Sequence, residues 1–274
     1  IVIITSLLCT RYSILKAIIF CLSIFTLFAV IKTLMQKFIG FDSFETKWLN
    51  AGGATTHIIW SGIRYFSFFT DASNMGANMG AAIMFFGIAS LYMRSALCKI
   101  YYSCIAILAL YALFLSGTRG AIIVPLAGLA LYTLISKQTK MVIGGASMLL
   151  FIYIFFAFTT IGESNSSIRR MRTAFNPTKD ASYIVRKENQ KKLATYLKYK
   201  PFGEGLGLSG DGLGVKISTR FTTSIPTDSW YVKIWVETGI VGLILYLSMI
   251  FLTIGWGGWI IATQIKDLEL KGLL

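Results

Sequence analysis

Two carboxylates lie at the start of a long apolar segment, in the stretch TDSWYVKIWVETGIVG at residues 227–242. Asp228 can accept the proton of a hydroxyl group during group transfer, or it can cap the N-terminus of the helix that follows. Glu237 lies nine residues further, about 13 Å along a helix, and a carboxylate at that depth of a membrane is costly and usually functional. Lys233 is its expected i, i+4 partner. The sequence leaves both roles of Asp228 open.

Arg119 lies in a tight turn, LSGTRGAII, between two apolar segments. Thr118 is placed to cap the second segment as a helix, so that the helix amides and the Arg119 guanidinium form an anion site suited to phosphate. The alternative is an interfacial arginine whose stem stays in the apolar layer. Further candidate ligands for an anion are the arginines that the topology below places on the same side of the membrane: Arg64, Arg169, Arg172 and Arg186.

Several other chemistries find no support in the sequence. The cysteines Cys9, Cys21, Cys98 and Cys104 lie in or beside apolar segments without C-x-x-C spacing, so neither a disulfide framework nor a zinc site is indicated. His57 is the single histidine, and we expect it to be a polar residue at headgroup level. The glycines of GEGLGLSGDGLG follow no predicted strand, so they do not indicate a dinucleotide site and instead predict a tight loop. The sequence contains no Walker motif, so ATP is not an expected energy source. We expect neither a metal nor a cofactor.

Hydropathy places these residues in a polytopic, all-α membrane protein. Hydrophobic residues make up 55% and charged residues 14% of the 274, far from the composition of a soluble domain. About 20 apolar residues cross a hydrocarbon core of roughly 30 Å. Trp235 and Trp256, about 31 Å apart along a helix, predict the two aromatic belts of the last span. The expected transmembrane helices cover approximately residues 13–34, 76–93, 99–116, 120–136, 141–161 and 230–262, with 1–9 as part of an earlier one.

Positive charges in the short loops define the orientation and the organisation of the chain. Lysines and arginines in the loops at 94–99, 137–140 and 266–271 fall on one side, which is then the cytoplasm, although Lys32 and Lys37 oppose this orientation. The chain begins without a methionine, and we expect further helices upstream. The predicted parts are transmembrane helices at 1–161, a large extracytoplasmic loop at 162–229, and a C-terminal transmembrane helix with a cytoplasmic end at 230–274.

The extracytoplasmic loop is strongly basic, with twelve Lys and Arg against six Asp and Glu. One interpretation is a solvated face that lies on anionic lipid headgroups; the other is a surface that attracts a polyanionic substrate such as a lipid pyrophosphate. Within the loop, an apolar stripe of Leu193, Tyr196 and Leu197 predicts a helix that ends before Pro201.

These segments resemble the bacterial O-antigen ligases and O-antigen polymerases, the integral-membrane enzymes of surface polysaccharide assembly, over about residues 60–255. FLSGTRGAIIVPLAGLALY is similar to the family's Ser-Arg-Gly turn between two spans, and YIVRKENQKKLATYLKYKPFGEGLG is similar to its Arg-led helix ending in Pro-x-Gly-x-Gly. The family's ligases carry His-[Asn/Ser/Gln], nine residues, then Gly-x-x-[Gly/Thr/Tyr]. Here Asp228-Ser229, nine residues and Gly239-Ile-Val-Gly242 keep every element except the histidine.

The resemblance implies an enzyme that transfers an undecaprenyl-pyrophosphate-linked glycan to a hydroxyl of an acceptor glycan or lipid, independently of metals, nucleotides and nucleic acid. It implies a multi-pass protein of the bacterial inner membrane, surrounded by membrane lipids, with its active site facing the periplasm. Arginines would hold the pyrophosphate, and Asp228 stands where the ligases have their basic histidine. Because of that substitution, polymerisation of polysaccharide repeat units is favoured, with ligation to lipid A core or a protein as the alternative.

Two other classes of protein share this hydropathy. A polysaccharide or lipid transporter would also be polytopic, basic and free of nucleotide motifs, but transporters tend to have internal repeats and charges near the midplane. This chain instead gathers its charges at one face and has no detectable repeat. A non-catalytic assembly partner of a glycan machine fits the hydropathy but does not account for the ligase-like spacing around Asp228.

Overall fold

The computed structural model describes residues 12–59, 62–136, 139–172, 175, 181–210, 219–227, 229–267 and 270. The chain divides into two compact units. The first comprises Ile1–Phe175 with Ile260–Leu274, and the second comprises Asn176–Trp259.

The first unit is built mainly from apolar helices. Its long helices are α1 (Tyr12–Phe38), α4 (Ala72–Tyr92), α5 (Ala96–Leu115), α6 (Ile123–Ser136) and α7 (Thr139–Phe158). Shorter elements connect them: α2 (Ser43–Trp48), a π-helical turn at Leu49–Gly53, α3 (Ala54–His57), the strands β1 (Ile58–Ile59) and β2 (Gly62–Ile63), a 3-10 helix at Arg119–Ile122, and α8 (Ser166–Arg172). The two strands pair antiparallel.

The expectation of an all-α polytopic protein is confirmed. Among the described residues four helices are long and apolar enough to cross a membrane: Tyr12–Phe38, Ala72–Tyr92, Ala96–Leu115 and Trp230–Thr263. The other two expected spans correspond to shorter apolar stretches, Arg119–Thr133 and Ile143–Phe158. The helix α6 has 14 residues, about 21 Å at 1.5 Å per residue, and so is shorter than the hydrocarbon core.

Residues of α4 and α5 make up most of the core of the first unit, and buried side chains of α1, α7 and α8 contribute to it. Small residues on α4 let the backbones approach closely, as is common for membrane helices. A Cβ at Gly76 would lie 2.6 Å from Ser116 Oγ, and one at Gly80 would lie 3.0 Å from Pro125 Cδ. The start of α4 is therefore pressed against the turn that joins α5 to α6, where Arg119 lies.

The segment between α1 and α4 is folded onto the helix ends by two buried polar side chains. The Gln36 side-chain oxygen accepts from the amides of Phe66 and Ser67 at 3.2 and 2.9 Å. His57 is buried, its ring packs edge-on against Trp48 and Phe66, and Nε2 accepts from the Ala72 amide at 3.2 Å. His57 is therefore a buried structural residue that satisfies an amide at the start of α4, rather than a polar residue exposed to headgroups.

The second unit contains α9 (Ala181–Leu197), a 3-10 helix at Phe221–Ser224 and most of α10 (Trp230–Thr263). The predicted apolar stripe on α9 is confirmed, because Leu193 and Leu197 are buried and Tyr196 packs against the same cluster. The helix ends at Leu197, shortly before Pro201. Val232 and Val236 of α10 complete the cluster.

Candidate functional site

Arg64 clamps the segment before α4 to the turn between α5 and α6. Its Nη2 donates to Thr118 Oγ1 at 2.8 Å and to Ser73 Oγ at 3.1 Å. Its Nη1 donates to the Thr56 carbonyl at 3.0 Å, and its Nε donates to the Ser116 carbonyl at 3.4 Å. A guanidinium has five N–H donors, and these bonds use four of them. Arg64 is thus better placed to shape the turn than to bind a ligand bidentately.

The turn itself differs from the predicted helix cap. Thr118 makes no side-chain cap bond, and a 3-10 helix at Arg119–Ile122 precedes α6. The Thr118 hydroxyl instead donates to the Ala72 carbonyl at 3.0 Å and accepts from Arg64. The prediction of a Thr118 cap is therefore wrong, because tertiary partners occupy the hydroxyl. The Ala121 amide bonds to the Thr118 carbonyl in the 3-10 pattern, so it is not among the free amides of a helix N-terminus.

Arg170, which the sequence did not single out, joins Arg64 at this turn. Gly117 has φ +58°, and a Cβ built on it would lie 3.3 Å from Arg64 Cγ and 3.8 Å from Arg170 Cδ. The helix α8 that carries Arg170 packs against the 3-10 helix that begins with Arg119. Arg64, Arg119 and Arg170 are hereafter called the arginine cluster.

Charge repulsion operates within the arginine cluster. Burial lowers the pKa of Arg64, Asp71 opposes this effect, and the nearby charge of Arg119 lowers the pKa further. The Asp71 carboxylate is also the N-cap of α4, where it accepts from the amides of Ser73 and Asn74. Arg64 and Arg119 therefore repel each other at this turn, and a bound anion would relieve that repulsion.

The other two arginines of α8 have different surroundings. Arg169 is exposed. Arg172 is buried, with its Nη2 donating to the Ile161 carbonyl at 2.6 Å and to Thr159 Oγ1 at 3.3 Å. Its guanidinium also lies 5.4 Å from the centre of the Phe155 ring. Arg172 therefore ties α8 to the end of α7.

In the second unit, the loop at residues 201–205 bonds to a break in α10. Gly239 has φ 69° and ψ −171°, which is not helical, so the carbonyls of Val236 and Glu237 lose their usual partners four residues on. The amides of Glu204 and Gly205 replace those partners at 2.9 and 3.0 Å. The Val241 amide in turn donates to the Pro201 carbonyl at 3.2 Å. This loop and the break at Gly239 are hereafter called the glycine interlock.

Glu237 has a partner other than the predicted one. Its carboxylate accepts from the hydroxyl of Ser209 at 2.7 Å, and Ser209 is fully buried. The Lys233 ammonium lies over the ring of Trp230, 5.5 Å from its centre. Within the described part of the chain, Lys233 and Glu237 form no ion pair. The loop that follows α9 therefore orients Glu237.

Two ion pairs hold Glu204, a residue of the loop in the glycine interlock. The side chain of Glu204 is almost fully buried and pairs with Lys200 and with Arg220, the latter at 3.0 Å. Burial alone would raise the pKa of Glu204, but the hydrogen bond and charge of Lys200, followed by Arg220, lower it overall. Glu204 is thus held as a carboxylate between two cations.

A family model described as O-antigen ligase matches residues 104–247, which is more than half of the 274-residue chain. The protein belongs to the O-antigen ligase family. The matched part of this O-antigen ligase family member includes the turn with Arg119, α8, α9 and the glycine interlock. No curated protein and no solved structure matches the chain. Family membership and the apolar helices make it a membrane protein for glycan transfer of the O-antigen ligase or polymerase type.

The predicted site residues of the O-antigen ligase family member fall into both units. Arg64 and Arg119 lie together in the first unit, whereas Arg186, exposed on α9, and Glu237 lie in the second. Asp228 lies outside the described residues, directly before Ser229, whose carbonyl accepts the Lys233 amide at 2.9 Å in the first turn of α10. That Arg119, Arg186 and Asp228 act on the same substrate stays a prediction.

Sequence reasoning did not assign roles to three residues of these sites, and the sequence carries a signal for some of them but not for others. Arg170 lies next to Arg169 in SIRRMR, and charge alone could not separate the two. Ser209 gives no signal, because its role depends on a partner 28 residues away. Gly239 does give one, since it is the first glycine of the ligase-like Gly-x-x-Gly element.

No group of three or more His, Cys, Asp or Glu side chains among the described residues could hold a metal ion. Cys21, Cys98 and Cys104 are free thiols.

Proposed function

We propose that this protein joins lipid-linked polysaccharide repeat units, taking an undecaprenyl-pyrophosphate-linked glycan as donor and the hydroxyl of an acceptor glycan as nucleophile. The observation that carries the proposal is the arginine cluster at the turn between two apolar helices. A pyrophosphate attached to a polyprenyl chain needs positive charge at the membrane surface while its tail stays in the bilayer. Family membership supplies the broad class of reaction.

Within the cluster, the proposal gives the arginines different roles. Arg119 and Arg170 contact the pyrophosphate, since guanidinium forks match phosphate oxygens in geometry. Arg64 uses four donors on the protein and so holds the turn, with one N–H left for the ligand. Arg169 adds positive potential from an exposed position. Arg172 holds α8 in place through its hydrogen bonds to Thr159 and Ile161.

In the second unit, Asp228 is the proposed base. As the acceptor oxygen forms its bond to the anomeric carbon, the hydroxyl proton passes to the Asp228 carboxylate. The bond from that carbon to the phosphate oxygen breaks, and its electron pair leaves with the pyrophosphate. Arg119 and Arg170 stabilise the charge that develops there. Arg186 and Glu237 are proposed substrate contacts on the same side of the membrane.

The proposed location is the bacterial inner membrane, with the arginine cluster facing the periplasm. Lys32, which opposed this orientation, is paired with Asp42 at 2.8 Å and Glu45 at 3.0 Å, so its charge is locally neutralised. Arg94 pairs with Asp267 at 2.7 Å, consistent with a common cytoplasmic side for the two loops that carry them. These pairs support the orientation derived from the short loops.

Reconstitution tests the proposal. The purified protein is placed in liposomes with undecaprenyl-pyrophosphate-linked repeat units, and the lipid-linked products are separated by length. We expect longer glycans on the lipid. Transfer to a different acceptor without lengthening would establish a ligase instead. Movement of the donor across the bilayer without a new glycosidic bond would overturn the proposal in favour of a transporter.

A further inference from the structure

The last helix is too long for a simple crossing of the membrane. With 34 residues it measures about 51 Å, whereas the hydrocarbon core is roughly 30 Å thick. Its backbone is interrupted at Gly239. The 24 residues from 240 to 263 still measure about 36 Å and are long enough to span by themselves.

The two parts of α10 have different surroundings. Before the break, Val232 and Val236 are buried against Leu193, Leu197 and Ile225. This packing is what a water-soluble subdomain needs, whereas lipid would solvate those side chains directly. The same part carries the two charged residues of the helix, Lys233 and Glu237.

After the break, the helix has the character of a lipid-facing span. Residues 240–263 contain no charged side chain. Large apolar side chains are exposed along this part of the helix, as expected for a surface that lipid covers: Ile244, Leu245, Met249, Phe251, Leu252 and Trp256.

The glycine interlock lies at the boundary between these parts. A Cβ at Gly203 would lie 2.5 Å from the Gly239 nitrogen and 2.6 Å from the Val236 oxygen, and a Cβ at Gly239 would overlap the Pro201 carbonyl. Backbone atoms cannot move aside as a side-chain tip can. The φ and ψ of Gly239 also fall in a region that is essentially restricted to glycine. Both positions therefore require glycine.

We propose that the glycine interlock is a positioning device: it ends the membrane-spanning part of the last helix at Gly239 and holds residues 230–238 in an extramembrane head formed with α9 and the loops at 198–210 and 219–227. That this head takes part in glycan transfer rests on the proposed function. The position of the membrane boundary does not.

Two residues have other surroundings than expected if the membrane boundary lies at Gly239. Trp235, expected in an aromatic belt, packs against the buried cluster of the head. Glu237, expected about 13 Å inside the membrane, lies on the aqueous side of the boundary. Its carboxylate then carries no lipid desolvation cost, and the hydrogen bond from Ser209 fixes its orientation. Phe202 and Leu206, exposed on the loop beside the break, are placed to enter the headgroup layer.

A depth measurement tests the boundary without any substrate. Nitroxide labels are attached to single cysteines at Tyr231, Ile240, Ile244 and Phe251, all exposed, after replacement of the native cysteines by serine. Relative collision rates with oxygen and with a water-soluble nickel complex are measured in lipid nanodiscs. We expect immersion depth to increase from Ile244 toward the bilayer centre and to extrapolate to zero near Gly239. A profile that reaches zero at Trp235 or earlier in the helix would overturn the proposal.

A matched pair of glycine substitutions tests the positioning role. Gly255→Ala is the control, because it lies in the same helix with nothing within 4 Å of a new Cβ. In Gly239→Ala, we expect kcat for glycan transfer to fall by about 10²-fold, as for a displacement of about 1 Å, while donor KM and membrane insertion change little. Equal kcat in both variants would overturn the positioning role. If Gly239→Ala does not insert, the nitroxide profile still decides the boundary.

If immersion depth extrapolates to zero near Gly239 but no variant transfers glycan, the extramembrane head is supported and the proposed function is wrong. If glycan is transferred but the depth extrapolates to zero at Trp235, the proposed function is supported and the boundary at Gly239 is wrong.

Discussion

The arginine cluster and the glycine interlock organise their surroundings by opposite means. In the cluster, long side chains from distant parts of the first unit meet at one turn, and their like charges repel. In the interlock, backbone groups of the second unit bond to each other directly, with Lys200 and Arg220 neutralising Glu204 from the side. Repulsion that a ligand relieves is typical of a binding site, whereas a closed set of backbone bonds is typical of a scaffold.

This contrast predicts different consequences of substitution. Changes in the cluster should reduce turnover while the protein remains folded. Changes in the interlock should lower the free energy of unfolding or displace the residues around the break in α10, since no rearrangement of side chains can compensate for a backbone overlap.

The largest effect is expected at Asp228, which lies in sequence just before the helix of the glycine interlock but is proposed to act as the base. Asn keeps the size and capping ability of Asp but cannot accept a proton at neutral pH. We expect Asp228→Asn to insert and bind donor normally while glycan transfer falls by about 10²- to 10⁴-fold. Asp228→His should recover part of the activity, because histidine occupies this place in the similar ligases. Near-normal chain extension by the Asn variant in purified membranes would leave Asp228 as a helix cap.

The second prediction compares two glycines of the same loop that both have positive φ. Gly203 has φ +73° and backbone atoms close to a new Cβ, whereas Gly207 has φ +78° and nothing within 4 Å. Gly207→Ala should lose about 1 kcal/mol through left-handed strain alone. Gly203→Ala should lose about 2–4 kcal/mol, since overpacking against backbone adds to that strain. Thermal unfolding of the detergent-solubilised proteins measures both, and similar losses would show that the interlock adds nothing to stability.

The third prediction addresses the arginine cluster with charge held constant. Lysine keeps the positive charge but lacks the planar fork for two phosphate oxygens. Arg119→Lys and Arg170→Lys should each reduce kcat/KM for the donor by about 10-fold, the cost of one charge-assisted hydrogen bond. Arg169→Lys, on the same helix but exposed, should have almost no effect.

Two results would contradict this assignment. Full activity of both cluster variants would mean that the arginines provide only a general positive potential. An equal loss in Arg169→Lys would mean that the structure does not distinguish adjacent arginines of α8.

The smallest effect is expected from His57, which shows how a buried side chain near the cluster responds to pH. Burial lowers the pKa of His57 from its usual 6.5, so the unfolded chain takes up a proton before the folded one. Stability is therefore fully present above about pH 6.5 and decreases as the pH falls from there toward the lowered pKa. Thermal unfolding between pH 7.5 and about 5 measures this slope. It should be reduced in His57→Gln, and an unchanged slope would assign the effect to other groups.

The helices and the chemistry of single residues were accessible from the sequence because they depend on local properties. Apolar runs of about 20 residues predict membrane helices, and the helical spacing of Leu193, Tyr196 and Leu197 predicts the buried face of α9. The position of the Arg119 turn between two apolar segments and the basic character of the loop follow from the pattern of apolar and charged residues. The role assigned to Asp228 came from a motif, and it remains a prediction.

Tertiary structure decided which of several equivalent residues act together. Arg169 and Arg170 are neighbours in sequence, yet successive helical residues point about 100° apart, and only the packing of α8 brings Arg170 to the turn. The sequence predicts that the Thr118 hydroxyl caps the next helix, but in the structure it bonds to Arg64 and to the Ala72 carbonyl, which are distant in sequence. Gly239 lies inside the span predicted at 230–262, so hydropathy predicts a continuous helix there. The break exists because the loop at 201–205 supplies the missing hydrogen bonds, and such bonds join backbone atoms that no side-chain pattern encodes.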